Sequence, residues 1–143
     1  MIQIRPARPF DAQAMAAIVE RLTCPAAPVA PYLREWLPGD DIWFVAEVGN
    51  EIHGFQWAGA TASRTDTCEI ATFVPVGRHD LAIGSALFDA TRLAARTRGL
   101  RWIEARLPAR NGGGSIYYKS RGFAVWAGHV TARTGQTILS YRL

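Results

Sequence analysis

The order of apolar and polar residues along the chain predicts strands alternating with helices. Ile2 and Ile4 alternate with polar neighbours as a first strand, and the proline and acidic residue of Pro9-Phe-Asp11 are typical of a helix start. One apolar stripe at helical spacing follows, formed by Met15, Ile18, Val19 and Leu22. Because three prolines interrupt the chain between positions 24 and 31, positions 32–37 can form only a short second helix.

Three strands are predicted next. Ile42 to Val48 and Glu51 to Ala60 are rich in β-branched and aromatic residues, and the Gly49-Asn50 pair between them is typical of a two-residue hairpin. These two strands should therefore pair antiparallel. A fourth strand follows, and because side chains alternate between the faces of a strand, Glu69 points away from the face that carries Cys68.

The clearest helix runs from about Ala82 to Arg98 and ends at Gly99. Its predicted apolar face carries Ile83, Ala86, Leu87, Ala90, Leu93 and Ala94. A fifth strand and a further helix are predicted at Trp102 to Leu107 and Asn111 to Ser120. The last two strands are predicted at roughly Phe123 to Ala132 and Gln136 to Arg142.

The length of the chain fits one domain, residues 1–143, with 49% hydrophobic and 20% charged residues. No apolar run approaches the roughly 20 residues needed to cross a bilayer, and the first residues have neither the basic nor the apolar region of a signal peptide. We therefore expect a cytoplasmic protein without a membrane partner. The net charge of +4 comes from arginines dispersed over most of the chain, which argues against nucleic acid and fits attraction to a polyanionic cofactor.

Metal chemistry is not predicted. Cys24 and Cys68 lie far apart without the spacing of a metal site, and both are interpreted as small buried residues. His53, His79 and His129 share no ligand spacing with a cysteine or a carboxylate pair.

A run from Thr67 to Phe88 leads from a strand through a short polar turn into a helix that opens with small residues. Unpaired backbone N–H groups and the positive end of the helix dipole make such a helix start a phosphate site when no bulky side chain blocks it. The approach is kept open by Ala82, Gly84 and Ser85. Asp80 works against the site, since its charge repels a phosphate and its carboxylate can cap the N–H of Ala82 or Ile83.

A second motif lies downstream, in Asn111-Gly-Gly-Gly-Ser-Ile-Tyr-Tyr-Lys-Ser-Arg-Gly-Phe123. Together the two segments resemble the GNAT superfamily of acetyl-coenzyme A dependent N-acetyltransferases, with its (Gln/Arg)-x-x-Gly-x-(Gly/Ala) loop and its Asn-x-x-Ala-x-x-(Phe/Leu)-Tyr-x-x-x-Gly-Phe segment. The spacing is most similar to that of the phosphinothricin and small-amine acetyltransferases. Here His79 stands where the family has Gln or Arg, and Ala82 where it usually has Gly, while Arg78 can supply the missing charge.

The resemblance covers nearly the whole chain and implies an α/β fold, in which one GNAT-like domain holds a mixed, mostly antiparallel seven-stranded sheet flanked by helices. It also implies transfer of an acetyl group from acetyl-coenzyme A (acetyl-CoA) to an amine, without a metal. The expected acceptor is a small-molecule amine similar to an amino acid. Acetylation of peptide or protein N-termini, and a degenerate acyl-CoA-binding domain without turnover, are the alternatives. A homodimer is left open.

Two catalytic residues are implied by the resemblance. Glu69 would take a proton from the attacking ammonium, since an alkylammonium is free amine only to roughly one part in a thousand at pH 7. The alternative for Glu69 is a solvated charge at an edge of the sheet. Tyr118 would protonate the departing thiolate, and its alternative is burial for packing. Because Cys68 has no histidine beside it in the sequence and faces away from Glu69, direct attack of the amine is favoured over a cysteine acyl-enzyme.

The other implied roles are in binding. The cofactor would contact Phe73, Val74, Arg78, His79, Leu81, Ala82, Ile83, Gly84, Ser85, Asn111 and Tyr118. A backbone N–H near positions 71–73 would hold the oxyanion, and Asn111 is equally suited to cap the helix that follows it. The acceptor pocket would be lined by Tyr32, Trp36, Trp43, Trp57 and Arg64, although these aromatic residues are equally suited to a core.

Overall fold

The computed structural model describes residues 1–23, 33, 35, 37, 39–61, 64–77, 79–108, 112–131 and 136–143. Its elements are, in chain order, β1 (Ile2–Pro6), a 3-10 turn (Pro9–Asp11), α1 (Ala12–Thr23), β2 (Ile42–Val48), β3 (Glu51–Ala60), β4 (Thr67–Phe73), α2 (Asp80–Thr97), β5 (Trp102–Pro108), α3 (Gly112–Ser120), β6 (Ala124–Thr131) and β7 (Gln136–Arg142). This order confirms the predicted alternation. Of the predicted short second helix only Leu33, Glu35 and Leu37 are described, and the Leu37 N–H donates to the Leu33 carbonyl at 3.0 Å.

The strands form a seven-stranded sheet in the order β1-β2-β3-β4-β5-β7-β6. β4 and β5 run parallel, whereas β1 with β2, β2 with β3, β5 with β7 and β6 with β7 pair antiparallel. The predicted mixed, mostly antiparallel sheet is therefore confirmed. The chain divides into two compact units, residues 1–58 with 71–93 and residues 59–70 with 94–143. The expectation of a single domain stays a prediction.

The first unit packs apolar side chains against both faces of its strands. On one face Met15 of α1 packs with Val45 and Phe55, which are at most 1% exposed. The opposite face is covered by α2, and its buried core consists of Ala46, Ile83 and Leu87. Both helices therefore stabilise the unit by removing apolar surface from water.

Glycines with positive φ end two of these elements where the sequence predicts it. Gly49, with φ of 64°, lies in the hairpin between β2 and β3. Gly99, with φ of 80°, follows α2, and the Leu100 N–H donates to the Ala95 carbonyl at 3.2 Å. This bond satisfies one of the last carbonyls of the helix, which is the reason that helices so often end at a glycine.

Two leucines predicted on apolar stripes are exposed, and the prediction is wrong for both. Leu22 of α1 is 44% exposed and Leu93 of α2 is 66% exposed. α2 instead buries positions 83, 87, 91 and 95 together with Phe88. These positions repeat every four residues, and the large Phe88 ring adds to this side of the helix, so that Leu93 falls outside the buried stripe.

The second unit is built around β5 and β7. β7 pairs with β5 on one side and with β6 on the other. Thr67 to Ile70 of β4 pair in parallel with Trp102 to Ala105 of β5. Ile103, Ala105 and Leu139 are fully buried. No helix in the described part of the chain is both long enough and apolar enough to cross a membrane.

Candidate functional site

Two glutamates stand side by side on the parallel strands β4 and β5. Glu69 and Glu104 oppose each other in the register, so their side chains leave the same face of the sheet, on strands about 4.8 Å apart. Glu104 is 2% exposed, whereas Glu69 is half-buried. Like charges this close are tolerated only where something compensates at least one of them.

Two arginines on this face compensate Glu104. Arg64 Nη2 donates to Glu104 Oε1 at 2.9 Å, and Arg106 Nη2 lies 3.6 Å from Glu104 Oε2. The Arg64 guanidinium also lies 5.9 Å from the centre of the Trp102 ring. With the described residues, Glu69 makes no hydrogen bond and no ion pair. One carboxylate is therefore paired with arginines, whereas the other has no partner among the residues that the structure describes.

Glu104 is missing from the residues predicted from the sequence. The local signal for it is weak, because an acidic residue between apolar Ile103 and Ala105 is ordinary for the outer face of a strand. Glu104 is buried because β5 pairs in parallel with β4 and because Arg64 binds the Glu104 carboxylate. Neither the strand pairing nor the bond with Arg64 can be predicted from the five or six residues around position 104.

Cys68 lies on the face opposite to Glu69, as the alternation predicts. Its side chain is 2% exposed, and the thiol donates to the Trp102 carbonyl at 3.8 Å. Burial raises the pKa of the Cys68 thiol to about 11. Only roughly one part in ten thousand is then thiolate at pH 7, and the thiolate is the nucleophilic form. This environment suits a structural cysteine rather than a nucleophile.

Tyr118 lies in an aromatic cluster. It is 3% exposed, its ring lies 5.1 Å from that of Phe123, and the Phe123 ring lies 5.3 Å from that of Tyr141. Tyr141 opposes Ile103, the residue before Glu104 on β5, so this cluster packs on the face opposite to the two glutamates. The two predicted catalytic side chains therefore lie on opposite faces of the sheet.

The start of α2 offers an anion fewer free donors than predicted. The Ile83 N–H donates to the His79 carbonyl at 2.9 Å, and the Leu81 N–H donates to the Asp80 carboxylate at 2.8 Å. Asp80 thus caps Leu81 and not Ala82 or Ile83, because the helix begins two residues earlier than predicted. His79, Leu81 and Ala82 are exposed, which leaves the helix start open to solvent. An anion at this helix start would compete with the Asp80 carboxylate for the Leu81 N–H.

Several predicted cofactor residues at the end of β4 and within α2 are buried or half-buried, in contrast to the exposed Leu81 and Ala82. The Phe73 ring stacks on that of Phe55, with centroids 4.6 Å apart. A Cβ at Gly54 would lie 3.0 Å from Val74 Cγ2 and 3.2 Å from the Phe73 carbonyl oxygen, so a larger residue there would require these atoms to shift. Gly84 is buried and Ser85 is half-buried. Backbone groups, more than these side chains, are then what a cofactor could reach.

The predicted acceptor residues are only partly described. Trp57 Nε1 donates to Asp41 Oδ2 at 2.9 Å, and its ring lies 6.2 Å from that of Trp43. Arg64 is bonded to Glu104, as described above. Tyr32 and Trp36, together with Arg78 and Asn111 of the predicted cofactor set, lie outside the described residues.

None of the predicted site residues lines a groove of about 750 Å³ in the first unit. It lies between β1, α1 and the hairpin turn, and one of its lining residues, Arg5, donates to both Asp11 and Glu47 at 2.8 Å. Charged side chains that pair with one another in this way are typical of an ion-pair network that stabilises the fold. Within the described ranges, no three His, Cys, Asp or Glu side chains lie close enough together to hold a metal ion.

Sequence comparison finds no relative: no protein-family model matches the chain, and no curated protein matches it at a significant level. Comparison of the fold does find similar structures. A ribosomal-protein-alanine N-acetyltransferase from Brucella melitensis is similar with a TM-score of 0.81 and 21% identity, over 99% of each chain. The Salmonella typhimurium protein yncA, solved with its cofactor acetyl-CoA, gives a TM-score of 0.79 and 19% identity, over 99% of this chain and 94% of yncA.

A third structure, proposed to be a phosphinothricin N-acetyltransferase, gives a TM-score of 0.77 and 23% identity, over 100% of this chain and 99% of the other. The similarity spans whole chains in each case, and further structures of this kind are described as GNAT acetyltransferases. The chain therefore has the fold of the GNAT acetyltransferases, as its two sequence motifs predict.

Proposed function

We propose that the protein is an acetyl-CoA dependent N-acetyltransferase that moves an acetyl group to an amine by direct attack. The observation that carries the proposal is Glu69, a half-buried carboxylate on β4 that has no partner among the described residues, although its neighbour Glu104 is neutralised. An ammonium must lose a proton before its nitrogen can attack a carbonyl. A free carboxylate on this strand is suited to accept that proton.

Acetyl-CoA supplies the thioester carbonyl that the amine attacks. In the proposal, backbone N–H groups near positions 71–73 stabilise the charge that develops on the carbonyl oxygen. Tyr118 donates a proton to the leaving sulfur. The open start of α2, with exposed His79 and Ala82, binds the diphosphate. An enzyme of this kind works where acetyl-CoA is present, for which reason we propose a cytoplasmic location.

For the acceptor we propose a small-molecule amine, as the motif spacing suggests. Arg64, which would bind the carboxylate of an amino-acid-like acceptor, already donates to Glu104 at 2.9 Å. Amines without a carboxylate therefore belong among the acceptors. The Brucella melitensis structure carries the name of an enzyme for a protein acceptor, so acetylation of peptide or protein N-termini remains the alternative within the same chemistry.

A degenerate domain without turnover is the second candidate. It is favoured by Asp80, whose carboxylate takes the Leu81 N–H at the helix start where the cofactor diphosphate would bind. The carboxylate both removes a donor and adds a negative charge, and the two effects weaken binding of an anion.

Thermal unfolding with and without acetyl-CoA, followed by a thiol-release assay over a panel of amines, separates the three candidates. The panel holds small amines with and without a carboxylate, and short peptides with free N-termini. Release of coenzyme A with small amines supports the proposal, and release with peptides alone supports the protein acceptor. A raised unfolding temperature without release on any acceptor supports the degenerate domain. No shift and no release would overturn all three.

A further inference from the structure

Arg64 binds Glu104, the residue that opposes Glu69 on the neighbouring strand. Arg64 precedes β4 in the chain, passes the ring of Trp102 at 5.9 Å and ends on Glu104 at 2.9 Å. Trp102 and Glu104 both lie on β5, where they oppose Thr67 and Glu69 of β4. The carboxylate that binds the guanidinium therefore belongs to the residue beside Glu69, on a strand roughly 4.8 Å away.

Glu104 is the group that keeps the guanidinium there. Its side chain is 3% exposed and binds Arg64 through Oε1, while Arg106 lies 3.6 Å from Oε2. Arg64 stays with Glu104, because breaking a buried charge pair leaves a carboxylate unpaired away from water, whereas the half-buried Glu69 keeps contact with solvent. Glu69, the register partner of Glu104, is the carboxylate to which we expect Arg64 to turn when the Glu104 charge is absent.

An arginine bound to Glu69 would remove the feature on which catalysis depends. A guanidinium binds a carboxylate through parallel N–H donors and occupies the lone pairs that a base needs. It also neutralises the charge that attracts an ammonium. Glu69 is available only as long as Arg64 is held elsewhere.

We propose that Glu104 is a positioning residue that holds Arg64 away from Glu69 and so keeps the Glu69 carboxylate free for the acceptor. This inference rests on the proposed function, because it assigns to Glu104 the task of protecting the proposed base. Glu104 itself touches neither substrate in this scheme. It acts through Arg64.

The first test asks whether substitution of Arg64 restores the turnover that substitution of Glu104 removes. Glu104→Gln should lower kcat by about 10²-fold, as loss of the base does, with little change in the KM for acetyl-CoA. Glu104→Met, which accepts no hydrogen bond from Arg64, should give a loss at least as large. Adding Arg64→Met to either variant should return kcat to within about threefold of Arg64→Met alone, because the competing cation is gone.

A matched control replaces an arginine that does not contact Glu104. Adding the exposed Arg101→Met to Glu104→Gln should give no recovery. If Arg64→Met also fails to restore turnover, Glu104 has only a structural role and the inference is overturned. If turnover of Glu104→Gln recovers with Arg106→Met in place of Arg64→Met, the assignment to Arg64 is overturned. Full activity of Glu104→Gln alone also overturns the inference.

The second test needs no acceptor, and therefore separates failure of this inference from failure of the proposed function. Urea unfolding midpoints of Glu69→Gln, Arg64→Met and the double variant measure the coupling of the two side chains. With Glu104 present the shifts should add. In the Glu104→Gln background they should not add, because Arg64 now binds Glu69. Additive shifts in both backgrounds overturn the inference even for an active enzyme, whereas coupling in an inactive protein rejects only the proposed function.

Discussion

The backbone N–H of Phe123 donates to the carbonyl of Tyr118 at 3.0 Å, and the rings of the two residues lie 5.1 Å apart. Between them Gly122 has φ of 107°, and its N–H donates to the Lys119 carbonyl at 3.1 Å. This pair of bonds is a Schellman motif with its usual apolar contact. The Gly-Phe pair of the downstream motif is therefore the cap of α3, and it fixes the position of Tyr118.

Gly122→Ala should lower the free energy of unfolding by about 1–2 kcal/mol, because alanine is strained at positive φ. Its Cβ would also lie 3.2 Å from Tyr141 Cε2. Urea unfolding measures the loss. The matched control is Gly113→Ala in the same helix, where a Cβ meets no atom within 4 Å and stability should be unchanged or higher. Equal stability of Gly122→Ala and the wild type would contradict the role of the cap.

Tyr118→Phe keeps the ring in its cluster and removes only the hydroxyl group. If Tyr118 protonates the leaving thiolate, kcat should fall by about 10²-fold with unchanged affinity for coenzyme A. Thiol release and calorimetry measure the two quantities. Tyr117→Phe, at the half-buried neighbour, should leave kcat within about threefold of the wild type. A loss smaller than tenfold in Tyr118→Phe would mean that the buried tyrosine serves packing.

Glu69→Gln should likewise lower kcat by about 10²-fold, since glutamine keeps the size of the side chain and cannot accept a proton from an ammonium. Binding of acetyl-CoA should not change. Glu51→Gln is the control, because the Glu51 side chain is 83% exposed in the hairpin. Turnover within tenfold of the wild type on a proven acceptor would show that the rate comes from positioning of the substrates alone.

Asp80→Gly should tighten binding of coenzyme A by about three- to tenfold at low salt, because it frees the Leu81 N–H and removes a negative charge from the helix start. Calorimetry at two salt concentrations should show a smaller gain at high salt. Asp80→Asn removes the charge but can still accept the bond, and so it separates repulsion from competition for the donor. If neither variant binds more tightly, the degenerate domain loses its main support.

Asp11 should make stability depend on acid pH. Its carboxylate is 2% exposed and accepts three bonds at 2.8 Å, two from the Arg5 guanidinium and one from the Arg8 N–H. Burial raises the pKa of Asp11, but the bonds from Arg5 and Arg8 outweigh it and hold the pKa below its usual value. Such a group stabilises the fold above its unfolded pKa of about 3.9, and this stability is lost as the pH falls through the lower folded pKa.

Asp11→Asn should therefore lower the free energy of unfolding at pH 7 by about 3 kcal/mol, the cost of breaking a buried charge pair. The urea midpoint of the variant should fall less than that of the wild type between pH 5 and the acid range, so the two curves converge. The urea midpoint of Asp89→Asn, on the exposed side of α2, should change with pH as that of the wild type does. Parallel curves for Asp11→Asn and the wild type would contradict the assignment.

Local signals in the sequence predict most element ends, and they fail where tertiary contacts decide. The hairpin at Gly49 and the end of α2 at Gly99 follow from conformations that only glycine adopts readily. The start of α2 is two residues earlier than predicted, and Asp80 in its first turn accepts a bond from the Leu81 N–H. The exposure of Leu93 depends on which side of α2 packs against the sheet, and periodicity alone does not settle it.

The residues of the candidate site likewise include some that local sequence predicts and some that depend on tertiary contacts. Glu69 could be predicted because it lies in the strand with which the run from Thr67 to Phe88 begins. Glu104 could not be predicted, since its burial and its pairing with Arg64 join residues that are 40 positions apart in the chain. The roles of Glu69 and Tyr118 stay predictions until turnover is measured.

The position of β7 between β5 and β6 has a consequence for how the protein is made. Residues 136–142 are synthesised after both neighbours, yet β5 and β6 meet only through them. While the chain is on the ribosome, the second unit therefore holds strands with open hydrogen-bonding edges, which are templates for aggregation. Completion of this half of the sheet must wait until β7 has left the exit tunnel, whereas β1 to β3 can pair as soon as they emerge.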